Sequence, residues 1–127
     1  DQNSVSKINL LGYALQKIMI DKKSSLAYLA LSQTELKQFD FQKGDSEGFV
    51  NYCLSIKNIK NAVFLREDKS LIKISFRSKG DVKMNEFSHK YYGGGGHQNA
   101  AGAAVESNDI DTVTKTLIEN FRSFCSD

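Results

Sequence analysis

Residues Gly93 to Gly102 read Gly-Gly-Gly-Gly-His-Gln-Asn-Ala-Ala-Gly, and no other stretch limits the fold of this chain as much. Four consecutive glycines strip a length of backbone of side chains and open conformations with positive φ, so that bare N–H groups can converge on one partner. Such a cradle suits an anion, above all a phosphate. His97 at its exit adds a ring that hydrogen-bonds and can carry positive charge near neutral pH. Ala100, Ala101 and Gly102 leave room for close packing behind it. Glycine runs also serve as flexible linkers. This run is short, lacks serine, and lies between a periodic helix and an apolar strand, which favours a binding role.

The 127 residues suffice for one domain with a core of its own. No apolar run approaches the ~20 residues of a membrane span, so no membrane partner is expected. Cys53 and Cys125 are the only cysteines; their number and spacing describe neither a disulfide framework nor a zinc site, and free thiols fit a cytoplasmic setting. The chain opens on Asp1 rather than Met, and is expected to be a fragment of a longer protein. The net charge of +2 is unevenly spread: between Lys57 and Lys90 nine Lys or Arg stand against four acids. This basic third abuts the glycine run, and is either a solvated face or an anion-binding one.

Residues 5–19 carry Ile8, Leu11, Leu15 and Ile18 at helical spacing, predicting an amphipathic helix. Ser25 to Ser32 reads as a buried strand. The sequence Ser-Gln-Thr-Glu from Ser32 is a capping box for a short helix through Leu36 to Phe39. After a polar loop, Asp45 is placed to cap a helix with Phe49, Val50, Cys53 and Leu54 on one face. Ala62–Arg66 and Leu71–Phe76 are expected to form a hairpin. In its second strand Leu71, Lys73, Ser75 and Arg77 share one face, and Ile72, Ile74 and Phe76 the other. Asp81 is expected to cap a helix reaching Tyr92, ended by Gly93 in the left-handed conformation. Ala100–Val105 returns as a strand. Asn108 is placed to cap a last helix with Ile110, Val113, Leu117, Phe121 and Phe124 along its face. The expected class is α/β, a single mixed sheet of about five strands flanked by helices.

The chain offers no metal site and no catalytic nucleophile of its own. His89 and His97 lie in no ligand spacing beside acids, and His89 reads as a surface residue. No serine or threonine sits on a nucleophile elbow. Recognition remains. Arg77 has a planar fork for phosphate, Ser78 a hydroxyl and Lys79 a second cation; a surface ion pair is the alternative for Arg77.

Arg77-Ser78-Lys79-Gly80, a short helix and then the glycine–histidine–alanine motif resemble the C-terminal substrate-binding domain of the DHH phosphoesterases, the DHHA1 domain. Glu47-Gly48-Phe49-Val50-Asn51-Tyr52-Cys53-Leu54-Ser55-Ile56 is similar to a segment of one branch, the bacterial oligoribonucleases that double as pAp phosphatases. The resemblance implies that residues 1–22 are a linker helix from a missing N-terminal DHH domain and residues 23–127 a DHHA1-like substrate-binding domain. It implies that Arg77, Ser78, Gly94, Gly95, Gly96 and His97 contact a short RNA or nucleotide. It also implies that catalysis belongs to manganese or magnesium in the missing domain, leaving no catalytic or metal-ligating residue here. RecJ-type exonucleases and cyclic-di-AMP phosphodiesterases share the glycine motif. A related domain of alanyl-tRNA synthetases keeps a non-catalytic RNA- or tRNA-binding module open, and an amphipathic first helix keeps a homodimer open.

Overall fold

The computed structural model describes residues 3–127, a six-stranded mixed sheet flanked by helices on both faces. The elements are α1 (Val5–Lys17), β1 (Met19–Asp21), β2 (Leu26–Leu31), α2 (Gln33–Gln38), α3 (Phe49–Leu54), β3 (Asn61–Asp68), β4 (Leu71–Ser78), α4 (Met84–Tyr92), β5 (Gly95–His97), β6 (Ala100–Glu106) and α5 (Ile110–Ser126). Their order across the sheet is β1-β2-β3-β4-β6-β5. Only β2 and β3 run parallel, and α2 and α3 form the crossover that a parallel pair requires.

The sheet has six strands where about five are expected; the two not foreseen, β1 and β5, are three residues each, too short to show an alternating pattern. β1 arises where α1 stops at Lys17: Ile18 turns extended, and Met19–Asp21 pair antiparallel with Leu26–Tyr28. The expected stripe on α1 is also corrected. Leu10 and Ala14 are the buried contacts, whereas Ile8 and Leu15 are 50% and 42% exposed. The small Ala14 lets the helix lie close to the sheet.

Strand alternation divides the interior into two cores. Ala27, Leu29, Leu31, Ala62 and Phe64 face α1, α2 and α3. Leu26, Val63, Leu65, Ile72, Ile74 and Phe76 face α4 and α5. Phe87 of α4 anchors the second core, with ring centroids 5.5 Å from Phe76 and 5.2 Å from Phe121, both edge to face.

Helix ends follow local rules in some places and distant partners in others. The Ser32 capping box forms: Glu35 N–H donates to Ser32 Oγ, and Ser32 N–H donates to Glu35 Oε1. Gly93 ends α4 at φ 65°. Asp45 instead accepts from Gln42 N–H within the preceding loop. Asp109, not Asn108, caps α5 by accepting from Thr112 N–H at 3.1 Å. Asp81 caps nothing: α4 starts at Met84, whose N–H donates to the Gln98 carbonyl at 2.8 Å. A group fourteen residues downstream thus sets the start of that helix.

Candidate functional site

The helices on one face stop short of the sheet's far edge. α1, α2 and α3 cover β2 and β3, so the same face of β4, β6 and β5 lies open beside them. Directly paired residues in antiparallel strands share a face. Arg77 pairs with Ala100, and Ala100 with His97. One strand-residue pair along, Ser75 lies opposite Gly102, and Gly102 opposite Gly95. Lys73 lies opposite Ala104. The open face is therefore paved with Ala100, Gly102, Ala104 and Gly95, and walled by Arg77 and His97. Those two residues stand about 10 Å apart at Cα, two strand spacings, with the methyl of Ala100 between them. An oxyanion above Ala100 is within reach of both side chains.

Arg77 is held but not consumed. Its Nη1 donates to the carbonyls of Phe76 at 2.9 Å and Ala101 at 3.4 Å. Among the described residues, Nε and Nη2 have no hydrogen-bond partner, so part of the guanidinium fork stays available. His97 is exposed at the end of β5. The turn that follows it is tied down from three sides. Ser78 N–H donates to the Asn99 carbonyl at 3.1 Å, Asn99 Nδ2 donates to Ser78 Oγ at 2.9 Å, and Met84 N–H takes the Gln98 carbonyl.

The remaining expected contacts divide. Ser78 is buried on the opposite face, its Oγ donating to the Val82 carbonyl at 2.9 Å while accepting from Asn99. It holds the His97 turn rather than reaching the open face. Lys79 Nζ donates to the Leu54 carbonyl at 2.9 Å, at the end of α3. The glycines have separate tasks. Gly93 and Gly94 spend their N–H groups on the carbonyls of His89 and Ser88, closing α4. A Cβ at Gly94 would fall 2.2 Å from the Gly102 carbonyl oxygen and 2.3 Å from Ser88 Oγ, so this glycine permits contact between α4 and β6. Gly96 adopts φ 140°, where a Cβ would strike the Ala100 carbonyl oxygen at 2.6 Å. Around Gly95 there is open space.

Sequence reasoning gave no role to Asn99, nor to Ser88, whose Oγ donates to the Gly102 carbonyl at 2.9 Å. Both lie in or beside the motif, but only the long-range pairing reveals what they hold. A cleft of about 300 Å³ continues the open face toward α3, lined by Ser46, Glu47, Gly48, Arg66, Lys73 and Arg77 among others. A larger cavity of about 540 Å³ lies by the start of α4 and the end of α5 and includes neither Arg77 nor His97. Among the described residues no group of three or more His, Cys, Asp or Glu could hold a metal ion. None of their helices is long and apolar enough to cross a membrane.

Residues 23–123 match the DHHA1 domain. The chain is 36% identical over 78 residues to the bifunctional oligoribonuclease and PAP phosphatase NrnA of Thermus thermophilus, covering 61% of this chain and 24% of the relative. It is 29% identical over 108 residues to the protein of the same name from Bacillus subtilis, covering 85% of this chain and 34% of the relative. A crystal structure of an exopolyphosphatase-related protein from Bacteroides fragilis superposes with a TM-score of 0.85 at 38% identity, over 99% of this chain and 38% of that one. The chain thus spans between about a quarter and two fifths of these three proteins.

Proposed function

The chain belongs to the DHHA1 domain family, and we propose that it is the substrate-binding half of a metal-dependent phosphoesterase that hydrolyses short oligoribonucleotides, pAp or both. The observation that carries this reading is the row Arg77–Ala100–His97 on an otherwise bare sheet face. The unspent guanidinium donors of Arg77 neutralise a phosphate, and the His97 ring hydrogen-bonds the same phosphate or its sugar. The small residues at Gly95, Ala100 and Gly102 let the nucleotide lie against backbone. Ser78 and Asn99 keep the His97 turn in place. The names of the two NrnA relatives support the substrate class.

Among the described residues no cluster of His, Cys, Asp or Glu fits a metal centre. Manganese or magnesium would belong to a DHH domain outside this chain and would activate the attacking water there; this chain's part is to bind and orient. The exposed Val5, Ile8 and Leu15 of α1 are the surface such a domain would meet. The two free thiols are in keeping with a cytoplasmic enzyme.

Calorimetric titration of the chain with pAp, beside Arg77→Ala and His97→Ala, tests the reading. Loss of a hydrogen bond to a charged group costs about 1.5–3 kcal/mol, so each variant should bind more than tenfold more weakly. Affinity unchanged in both variants overturns it.

A further inference from the structure

The proposed phosphate row leaves part of the basic surface unexplained. Arg66 and Lys73 are direct cross-strand partners at the end of β3 and on β4, on the same side of the sheet as Arg77. Like charges placed opposite each other in a sheet oppose folding, so this pairing is a local cost. Neighbouring groups relieve it only in part. Lys73 Nζ lies 3.2 Å from Asp68 Oδ2, with both side chains well exposed, and the Arg66 guanidinium stands 5.2 Å from the centre of the Phe41 ring. Both cations line the 300 Å³ cleft together with Arg77, against a single acid, Glu47. Ser46 and Ser75 add hydroxyls, and the almost fully buried Val50 and Phe64 close its floor.

We infer that this cleft is a second phosphate subsite, which takes a nucleotide further along the strand whose terminal phosphate is held by Arg77 and His97. The inference rests on the reading above. Three cations against one acid select a phosphate. Lys73 lies four residues from Arg77 on β4, about 13 Å at the usual strand rise. At about 3.4 Å per stacked nucleotide this spans roughly four nucleotides, and fewer when the strand is extended. The ligand is thus a single-stranded oligonucleotide, and a mononucleotide such as pAp does not reach Lys73. Binding of the longer ligand is tuned independently of binding at the Arg77–His97 row.

The test titrates the full chain with pAp and with a 5′-phosphorylated tetraribonucleotide over a range of salt, using wild type, Lys73→Gln, Arg66→Gln/Lys73→Gln and Arg77→Ala. Removing two phosphate contacts should lower the slope of log affinity against log salt by about 1.4 for the tetranucleotide, and weaken it about tenfold or more at low salt. Affinity for pAp should stay within about twofold, as for independent sites. Lys73 is exposed, so the single variant gives a readout, half the slope change, should loss of the Arg66–Phe41 contact unfold the double variant. Unchanged tetranucleotide binding overturns the subsite, as does equal weakening of both ligands. Displacement of the tetranucleotide by inorganic tripolyphosphate at matched phosphate concentration overturns the nucleotide assignment. Undiminished pAp binding by Arg77→Ala instead overturns the underlying row, whatever the Lys73 variants do.

Discussion

Replacing Gly102 by valine separates what the open face does for binding from what it does for folding. Gly102 sits in the middle of β6, exposed, between Ser75 and Gly95. Its φ is not positive, and an added Cβ would meet only the Ile74 carbonyl oxygen, at 3.4 Å, an ordinary contact. Glycine in a strand interior costs about 0.5–1 kcal/mol relative to alanine. The β preference of valine adds at most about 1 kcal/mol. Gly102→Val should therefore be as stable as wild type or up to about 1.5 kcal/mol more stable, which raises the melting midpoint by a few degrees, roughly 2–6 °C. The isopropyl group would stand where the proposed nucleotide would lie against backbone, beside the proposed phosphate position over Ala100. Affinity for pAp should fall about tenfold or more, or about 1.4 kcal/mol. Differential scanning calorimetry and isothermal titration on the same sample give both numbers. A stable variant that binds pAp like wild type would refute the placement of the ligand on this face; a variant that unfolds would refute the claim that the space is free.

Gly94→Ala should do the opposite, because its Cβ would collide with the Gly102 carbonyl and with Ser88 Oγ; a loss of about 1–3 kcal/mol or more in urea unfolding is expected. Ser78→Ala removes the donor to Val82 and the acceptor for Asn99, costing about 1–2 kcal/mol of stability, and should weaken pAp through a loosened His97 turn rather than a lost contact. Arg122 hydrogen-bonds the buried Asp21 and holds its carboxyl down to about 2, with Ser24 assisting. A carboxyl depressed in the folded state stabilises above its unfolded value near 4 and loses that contribution as pH falls toward 2. Arg122→Ala should thus destabilise the fold at pH 7, by an amount moderated by the exposure of Arg122. The difference from wild type should shrink in unfolding curves between pH 4 and 2.

Wherever one or two turns of chain contain their own reason, the residues alone determined the outcome. The capping box at Ser32 and Glu35, the alternation along β4 and the left-handed Gly93 need only neighbours three or four positions away. These local rules made the α/β class legible, together with the hairpin of β3 and β4 and the facing of Lys73, Ser75 and Arg77. Elements whose reason lies far along the chain were not legible. α4 begins where the Gln98 carbonyl waits, α1 buries the side that β2 and α3 accept, and β1 and β5 exist only because longer strands give them partners. The glycine run shows the division most clearly. Composition marked it as a place of close approach, but pairing across the sheet decided what approaches: Gly94 admits β6, Gly96 shapes the hairpin, and Gly95 stays open. Arg77 and His97 are twenty residues apart, and neither residue type carries a signal of the other. The register of three strands, set by burial on the far face of the sheet, brings them into one row.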